Sequence, residues 1–407
     1  MASAAPTLHL EDYIPIVGAS EIDEMRALAQ QLQGRTVKMV NSTAVGGGVA
    51  EILNRLVPLM QELGLATRWD VMTGGNDFFE VTKNFHNALH GAAYEARSGA
   101  FDVFEAYQER NLKQMSFEEN FVVIHDPQPA GLVRARSERA ASWVWRCHID
   151  VSKPNPQVWE FLAKYVQQYD AMLISSPNFT RALPIPQYLW YPSIDPLSQK
   201  NMELDDQFIG GVAERFSLDT SRPILTQISR FDRLKDPLGV IKAYKLVKKY
   251  YDCQLVLAGG GATDDPEGGQ VLAEVKNAAD NDPDIHILDL PPWSAAEINA
   301  LQRLSTIIIQ KSLQEGFGLT VTEGLWKKKP VVASAVGGIT QQVIHKLTGM
   351  LVHSVEGCAY QIRYLLTHPD IARRVGENGH EHVKENFLIT RNLKRYLVLF
   401  LALRSAG

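Results

Sequence analysis

Two carboxylates close the run Glu315-Gly316-Phe317-Gly318-Leu319-Thr320-Val321-Thr322-Glu323. Carboxylates accept hydrogen bonds from paired hydroxyls, which sugars and riboses both present. Gly316 and Gly318 between them permit close approach of backbone to a ligand. Plainer roles exist for the same residues: Glu315 as a helix cap, Glu323 as a complement to the helix dipole. Upstream stands Ser229-Arg230-Phe231-Asp232-Arg233-Leu234-Lys235-Asp236. An arginine fork at Arg230 and a point charge at Lys235 suit a diphosphate leaving group, whose growing charge needs stabilising. A solvated charged loop would have the same composition. Near the start, Gly46-Gly47-Gly48 follows an apolar run and opens a helical one. Glycines there let amides and the helix N-terminus meet a phosphate, although a tight turn asks for similar residues. The spacing matches neither G-x-G-x-x-G nor the P-loop.

Further polar groups end apolar runs in the first half. His125-Asp126-Pro127-Gln128-Pro129 and Arg146-Cys147-His148-Ile149-Asp150 place Asp126 and Asp150 as candidate binders of sugar hydroxyls. His148 is a candidate for orienting a donor sugar; a structural histidine is the competing reading. Val336-Gly337-Gly338-Ile339 either lines a donor pocket with amides or is a glycine turn. Cys147, Cys253 and Cys358 lie far apart, so neither a disulfide framework nor a zinc knuckle is suggested. No protein-bound metal is expected, and Mg²⁺, where it takes part, should arrive with a nucleotide.

These residues need elements to carry them. Apolar runs predict strands at 36–40, 65–72, 121–125, 143–147 and 171–174, with helices at 49–63, 81–90 and 157–169. The second half predicts strands at 224–228, 254–258, 285–288, 306–309 and 330–333, with helices at 237–250, 271–279, 295–304 and 320–328. Strand–helix alternation in both halves predicts two doubly wound α/β domains. The Pro-rich stretch 183–196 marks the boundary, giving domains 1–195 and 196–389. A terminal helix at 390–404 is expected to return to the first domain. In such sheets ligands sit at the carboxyl ends of strands, which is where the residues above fall. Two facing domains would then share a cleft.

Length and composition agree. The 407 residues suit two domains of roughly 200 each. A 45% apolar and 21% charged composition is that of a globular protein, and a net charge of −5 provides no field for wholesale nucleic-acid or membrane binding. No signal peptide or spanning segment is read, so a cytoplasmic location is expected.

The motifs together resemble retaining GT-B glycosyltransferases of family 4. E-G-F-G-L-T-V-T-E at 315–323, S-R-F-D-R-L-K at 229–235 and G-G-G-V-A-E at 46–51 stand where that family places them. Adding N-S-T at 41–43, H-D-P-Q-P at 125–129, W-R-C-H-I-D at 145–150 and P-S-I-D-P-L-S at 192–198, the chain looks like the trehalose glycosyltransferring synthases within it. The resemblance implies a GT-B architecture of two Rossmann-like domains facing across a cleft. It implies reversible, retaining formation of trehalose from glucose and an NDP-glucose (UDP-, ADP- or GDP-glucose). It also implies that Arg230 and Lys235 hold the diphosphate, and that Glu323 binds the ribose. Glu315 with the amides of Gly316, Phe317, Gly318 and neighbouring Leu319 would hold the donor glucose. Gly47 and Gly48 would approach the phosphates and His148 the donor sugar. Asp126, and more weakly Asp150, would hold the acceptor. No tightly bound cofactor is implied, and a homodimer is compatible. Three departures stand out: Gln314 where relatives often carry Arg, Lys311 where an apolar residue is expected, and Lys327-Lys328-Lys329-Pro330 without the glycine usual before Lys-Pro. Competing readings are a retaining trehalose phosphorylase, a family-4 transferase with another acceptor such as a sugar phosphate (Arg134 and Arg136 being the nearest cations), and an inactive sugar-nucleotide sensor.

Overall fold

The computed structural model describes residues 8–44, 47–136, 141–260 and 266–405. The chain divides into two compact units, residues 1–193 with 389–407, and residues 194–388.

The first unit holds a parallel sheet of β1 (Thr36–Asn41), β2 (Ala66–Val71), β3 (Phe121–His125), β4 (Ser142–Arg146), β5 (Ala171–Ile174) and β6 (Gln187–Leu189), in the order β2-β1-β3-β4-β5-β6. β3 and β5 are buried along their whole length, as strands covered by helices on both faces must be. An aromatic cluster of Phe78, Phe85, Phe104 and Phe161 packs one flank of this unit. The last helix, Ile389–Ser405, belongs to the same unit: Phe400 stacks on Phe121 with ring centroids 4.5 Å apart, and Asn392 Oδ1 accepts from Trp190 Nε1 at 2.9 Å.

The second unit holds β7 (Ile224–Ile228), β8 (Gln254–Gly259), β9 (Ile285–Asp289), β10 (Ile307–Gln310), β11 (Val331–Ser334) and β12 (Met350–Val352). The order β12-β11-β10-β7-β8-β9 is that of a Rossmann sheet, again all parallel. Each sheet has a point where successive connections reverse direction, between β1 and β3 in one and between β7 and β10 in the other. Ligands of open α/β sheets bind at such switch points.

The structure adds elements the apolar pattern does not reveal. The helix Ala100–Gln114 buries Gln108 and Asn111 beside Phe104, so its inner face is half polar. Asn111 uses that burial, exchanging hydrogen bonds with the backbone of Thr73 at 2.7 and 2.8 Å. β6 and β12 are three-residue edge strands, too short for a readable alternation. Among the described residues no helix is long and apolar enough to cross a membrane.

Candidate functional site

In the second unit the structure brings Lys235 and Glu315 together at the switch point. β7 is buried throughout and ends at Ile228, after which the chain turns through Arg230 to a single 3₁₀ turn, Arg233–Lys235. Asp232 accepts from the Leu234 amide at 2.7 Å and shapes that turn. Gln227 donates to the Lys235 carbonyl at 2.9 Å, and the Leu313 amide donates to the Leu234 carbonyl at 2.7 Å. These bonds fix the loop after β7 against the loop after β10. Lys235 then reaches Glu315, Nζ to Oε2 at 2.6 Å, and Ser312 Oγ donates to the same oxygen at 3.3 Å. Arg230 is half exposed, with Nη2 3.6 Å from Asp232 Oδ2. Arg233, the other cation of the run, makes a bidentate pair with Glu274 at 2.7 and 2.9 Å.

The glycine run beyond Glu315 has a defined backbone. Gly318 is the N-cap of the helix Leu319–Trp326 at φ 83°, and a Cβ on it would lie 3.2 Å from Glu315 Cγ. Only glycine combines that φ with that contact at low cost. The cap has no side-chain hydrogen bond, so Glu315 is not the helix cap that was one reading of it. The carbonyls of Glu315, Phe317 and Gly318 accept from the Gly338 amide and the Gln342 side chain. Every peptide here is trans. In a trans peptide the next N–H points opposite to the carbonyl, so the amides of Gly316, Gly318 and Leu319 face away from the 338–342 turn. The Phe317 ring is buried against Phe387, leaving its backbone as the part that faces the loop. Gly338 is required by space: a Cβ there would lie 2.4 Å from the Gly316 oxygen.

Glu323 enters a second cluster. It is only 3% exposed, accepts from Gln302 Nε2 at 3.0 Å, and has Lys200 Nζ 3.9 Å from its other oxygen. Beneath it Lys327 donates to Asn201 Oδ1 and the Glu323 carbonyl, and burial holds its amine down to about 7.

In the first unit Gly47 is the N-cap of the helix Gly48–Glu62, at φ 82° and ψ 156°. That region is essentially closed to L side chains. A Cβ on Gly47 would meet nothing, so its backbone conformation, not crowding, demands the glycine. Val45 and Gly46 lie outside the described residues. Asp126 follows β3 in the left-handed region at φ 68°. Its Oδ1 accepts from the His148 amide at 2.8 Å, and its carbonyl accepts from Trp145 Nε1 at 3.0 Å. Burial raises its carboxyl to about 6, against the lowering effects of that amide and of Arg146. His148 Nε2 lies 3.0 Å from His125 Nδ1. Burial, then the Arg146 charge, pushes His125 down to about 3 and His148 well below the usual range. Asp150 Oδ1 accepts from the Ser152 amide at 2.8 Å in a turn.

Several pairings are not legible in the sequence. Arg146 is buried and donates to the carbonyls of Cys147 and Leu173 and to Ser175 Oγ, tying the ends of β4 and β5 together. Lys311, flagged by its unexpected charge, pairs with Asp236, the N-cap of the helix Pro237–Lys248. Gln302 lies inside an ordinary helical run, where nothing in the local pattern marks it.

A family model described as "Trehalose synthase, N-terminal domain" matches residues 39–181, and one described as "Glycosyl transferases group 1" matches residues 213–382. The trehalose synthase of Thermococcus litoralis is 44% identical over 96% of this chain and 96% of its own. That of Rubrobacter xylanophilus is also 44% identical, at 96% of both chains. Among solved structures, sucrose-phosphate synthase from Thermosynechococcus elongatus superposes with a TM-score of 0.73 at 18% identity, covering 92% of this chain and 100% of that one. Two parallel six-stranded sheets, the motif loops at their switch points and full-length similarity agree: the chain belongs to the trehalose synthase family of GT-B glycosyltransferases.

Proposed function

We propose that this protein transfers glucose from an NDP-glucose to free glucose, forming trehalose reversibly and with retention at the donor carbon. The observation that carries this reading is the contact of Lys235 with Glu315 at the switch point of the second unit. A cation suited to phosphate and a carboxylate suited to hydroxyls meet there beside outward amides, a combination that fits a sugar diphosphate. Lys235 and Arg230 hold the diphosphate, Glu315 and the amides of Gly316, Phe317, Gly318 and Leu319 hold the donor glucose, and Glu323 holds the ribose. Gly47, Gly48 and His148 complete the donor contacts, while Asp126 and Asp150 hold the acceptor. Mg²⁺, where present, comes with the nucleotide as part of the substrate.

Retention by double displacement needs a carboxylate nucleophile about 5 Å from an acid. The motif assigns no carboxylate to that role. Front-face attack is the alternative we favour: the acceptor oxygen bonds to the anomeric carbon on the side the diphosphate leaves, and the departing phosphate oxygen takes the hydroxyl proton. Catalysis then rests on stabilising the leaving-group charge and on positioning.

The test is product analysis with glucose and a panel of NDP-glucoses, and in reverse with trehalose plus UDP, ADP or inorganic phosphate. Trehalose retaining the α configuration, and cleavage that needs a nucleoside diphosphate, are expected. Release of glucose 1-phosphate from trehalose and phosphate would make the protein a phosphorylase instead. Nucleotide binding with no turnover on any donor would make it a sensor.

A further inference from the structure

His125 is part of a recognised motif, yet the function above gives it no task. It ends β3, is 2% exposed, and lies with its ring 19° from parallel to that of His148. Its Nδ1 is 3.0 Å from His148 Nε2, so one proton is shared between the two nitrogens. Which ring owns it decides what the other face of His148 offers a ligand.

Both rings are neutral at pH 7, because burial and the Arg146 guanidinium disfavour a further positive charge. Each therefore carries one N–H. If His148 donates through Nε2, the proton of His125 must sit on its own Nε2. That nitrogen is buried, and no hydrogen-bonding partner among the described residues reaches it. The arrangement would leave an N–H stranded in the core. If His125 donates through Nδ1, its Nε2 is left with only an unfilled lone pair. Buried N–H groups without acceptors are rarer in folded proteins than acceptors without donors, and stranding a donor costs about 1–3 kcal/mol.

We propose that His125 is a positioning residue that fixes His148 as the Nδ1–H tautomer, so that His148 meets its ligand as a hydrogen-bond donor. A sugar oxygen bound there is an acceptor, and Nδ1 has no lone pair with which to take a proton from substrate. That the ligand is the donor glucose rests on the function proposed above; the tautomer does not.

The experiment uses the full chain with nitrogen-15 in its 11 histidine rings. Two-bond nitrogen–proton correlations at pH 7 report which ring nitrogen is protonated, and His125→Asn and His148→Gln spectra assign the two signals. Protonated Nδ1 on both residues is expected, and protonated Nε2 on His148 overturns the proposal. In parallel, kcat/KM for NDP-glucose is compared in two variants. His125→Asn keeps a donor at the δ position and is expected within about threefold of wild type. His125→Phe keeps a ring but no donor and should lose roughly tenfold, the worth of one hydrogen bond. Equal activity of the two, at matched melting temperatures, also overturns it. An Nδ1–H signal in a protein inactive on every NDP-glucose would leave the tautomer standing and remove the functional reading alone.

Discussion

Asp126→Asn should make the protein more stable at neutral pH while weakening its use of acceptor. In the fold burial holds this carboxyl at about 6, against 3.8 in an unfolded chain. A carboxyl with a raised folded pKa contributes its full stability below the unfolded value, and that stability is lost as pH rises through the folded one. The difference of about 2 pH units, at about 1.36 kcal/mol each, makes ionised Asp126 a burden of about 3 kcal/mol above pH 7. An asparagine keeps the oxygen that accepts from the His148 amide, but a bond to a charged acceptor becomes a neutral one, losing about 1 kcal/mol. The backbone favours the change, since φ is 68° and asparagine tolerates that region better than most residues. A net gain of about 2 kcal/mol corresponds to roughly 4–8 °C in the melting transition of a unit near 200 residues. The assay is a melting series by calorimetry from pH 8 to pH 4.5 for both proteins, with kcat/KM for glucose measured at pH 7.5. The gain should shrink towards zero at the acid end. An unchanged or lower midpoint at pH 7.5, or a gain that grows on acidification, would refute the assignment of the burden to this carboxylate.

Four other substitutions follow from the same geometry. Arg230→Ala and Lys235→Ala should each cut turnover by about 10²-fold or more, the effect of losing one preorganised donor, and steady-state kinetics with near-normal kcat in both would remove the leaving-group role. Gly338→Ala places a Cβ 2.4 Å from the Gly316 oxygen and 2.7 Å from Phe317 Cα, so the loop from Glu315 to Gly318 must shift; on the proposed function kcat/KM for the donor should fall by at least about tenfold, as small misplacements near reacting groups do. Lys328→Gly should raise the second unit's melting temperature by about 2–4 °C, because Lys328 sits at φ 59° where a side chain costs about 1 kcal/mol, and calorimetry will show no rise if that strain is absent.

That last position shows how a sequence departure becomes physics. The glycine expected before Lys-Pro falls on Lys328, and the structure keeps the left-handed turn there although the residue is a lysine. The turn is retained by its surroundings: the Lys328 carbonyl packs so closely on Gly376 that a Cβ there would come within 2.1 Å of its oxygen. Local preference is overridden by packing from a helix some 50 residues on. The fold was legible for the opposite reason. Strands such as β3, β5, β8 and β10 are buried end to end and mostly apolar, so they stand out without help from tertiary context. Where burial includes polar side chains, as at Gln108 and Asn111, or an element is three residues long, as at β6 and β12, the pattern gave nothing to read.

The candidate site divides along the same line. Loops after strands are local features, so Arg230, Lys235, Glu315 and the glycines between could be named from the chain alone. Partnerships across loops are not local. Lys235 and Glu315 are separated by 80 residues, Lys311 and Asp236 by 75, Gln302 and Glu323 by 21, and His125 and His148 by 23. Two of these pairs, Lys235–Glu315 and Lys311–Asp236, follow from one topological fact, that β10 lies beside β7 and not beside β9. That adjacency makes Lys311 the counterion of the helix cap behind Lys235, so the unexpected charge on the strand end is answered by Asp236 in the same loop. A buried pair of this kind adds little net stability, but removing one partner leaves a charge that the interior penalises. Its value here is therefore geometric: together with the Leu313–Leu234 backbone bond it holds the Lys235 turn against the loop that carries Glu315.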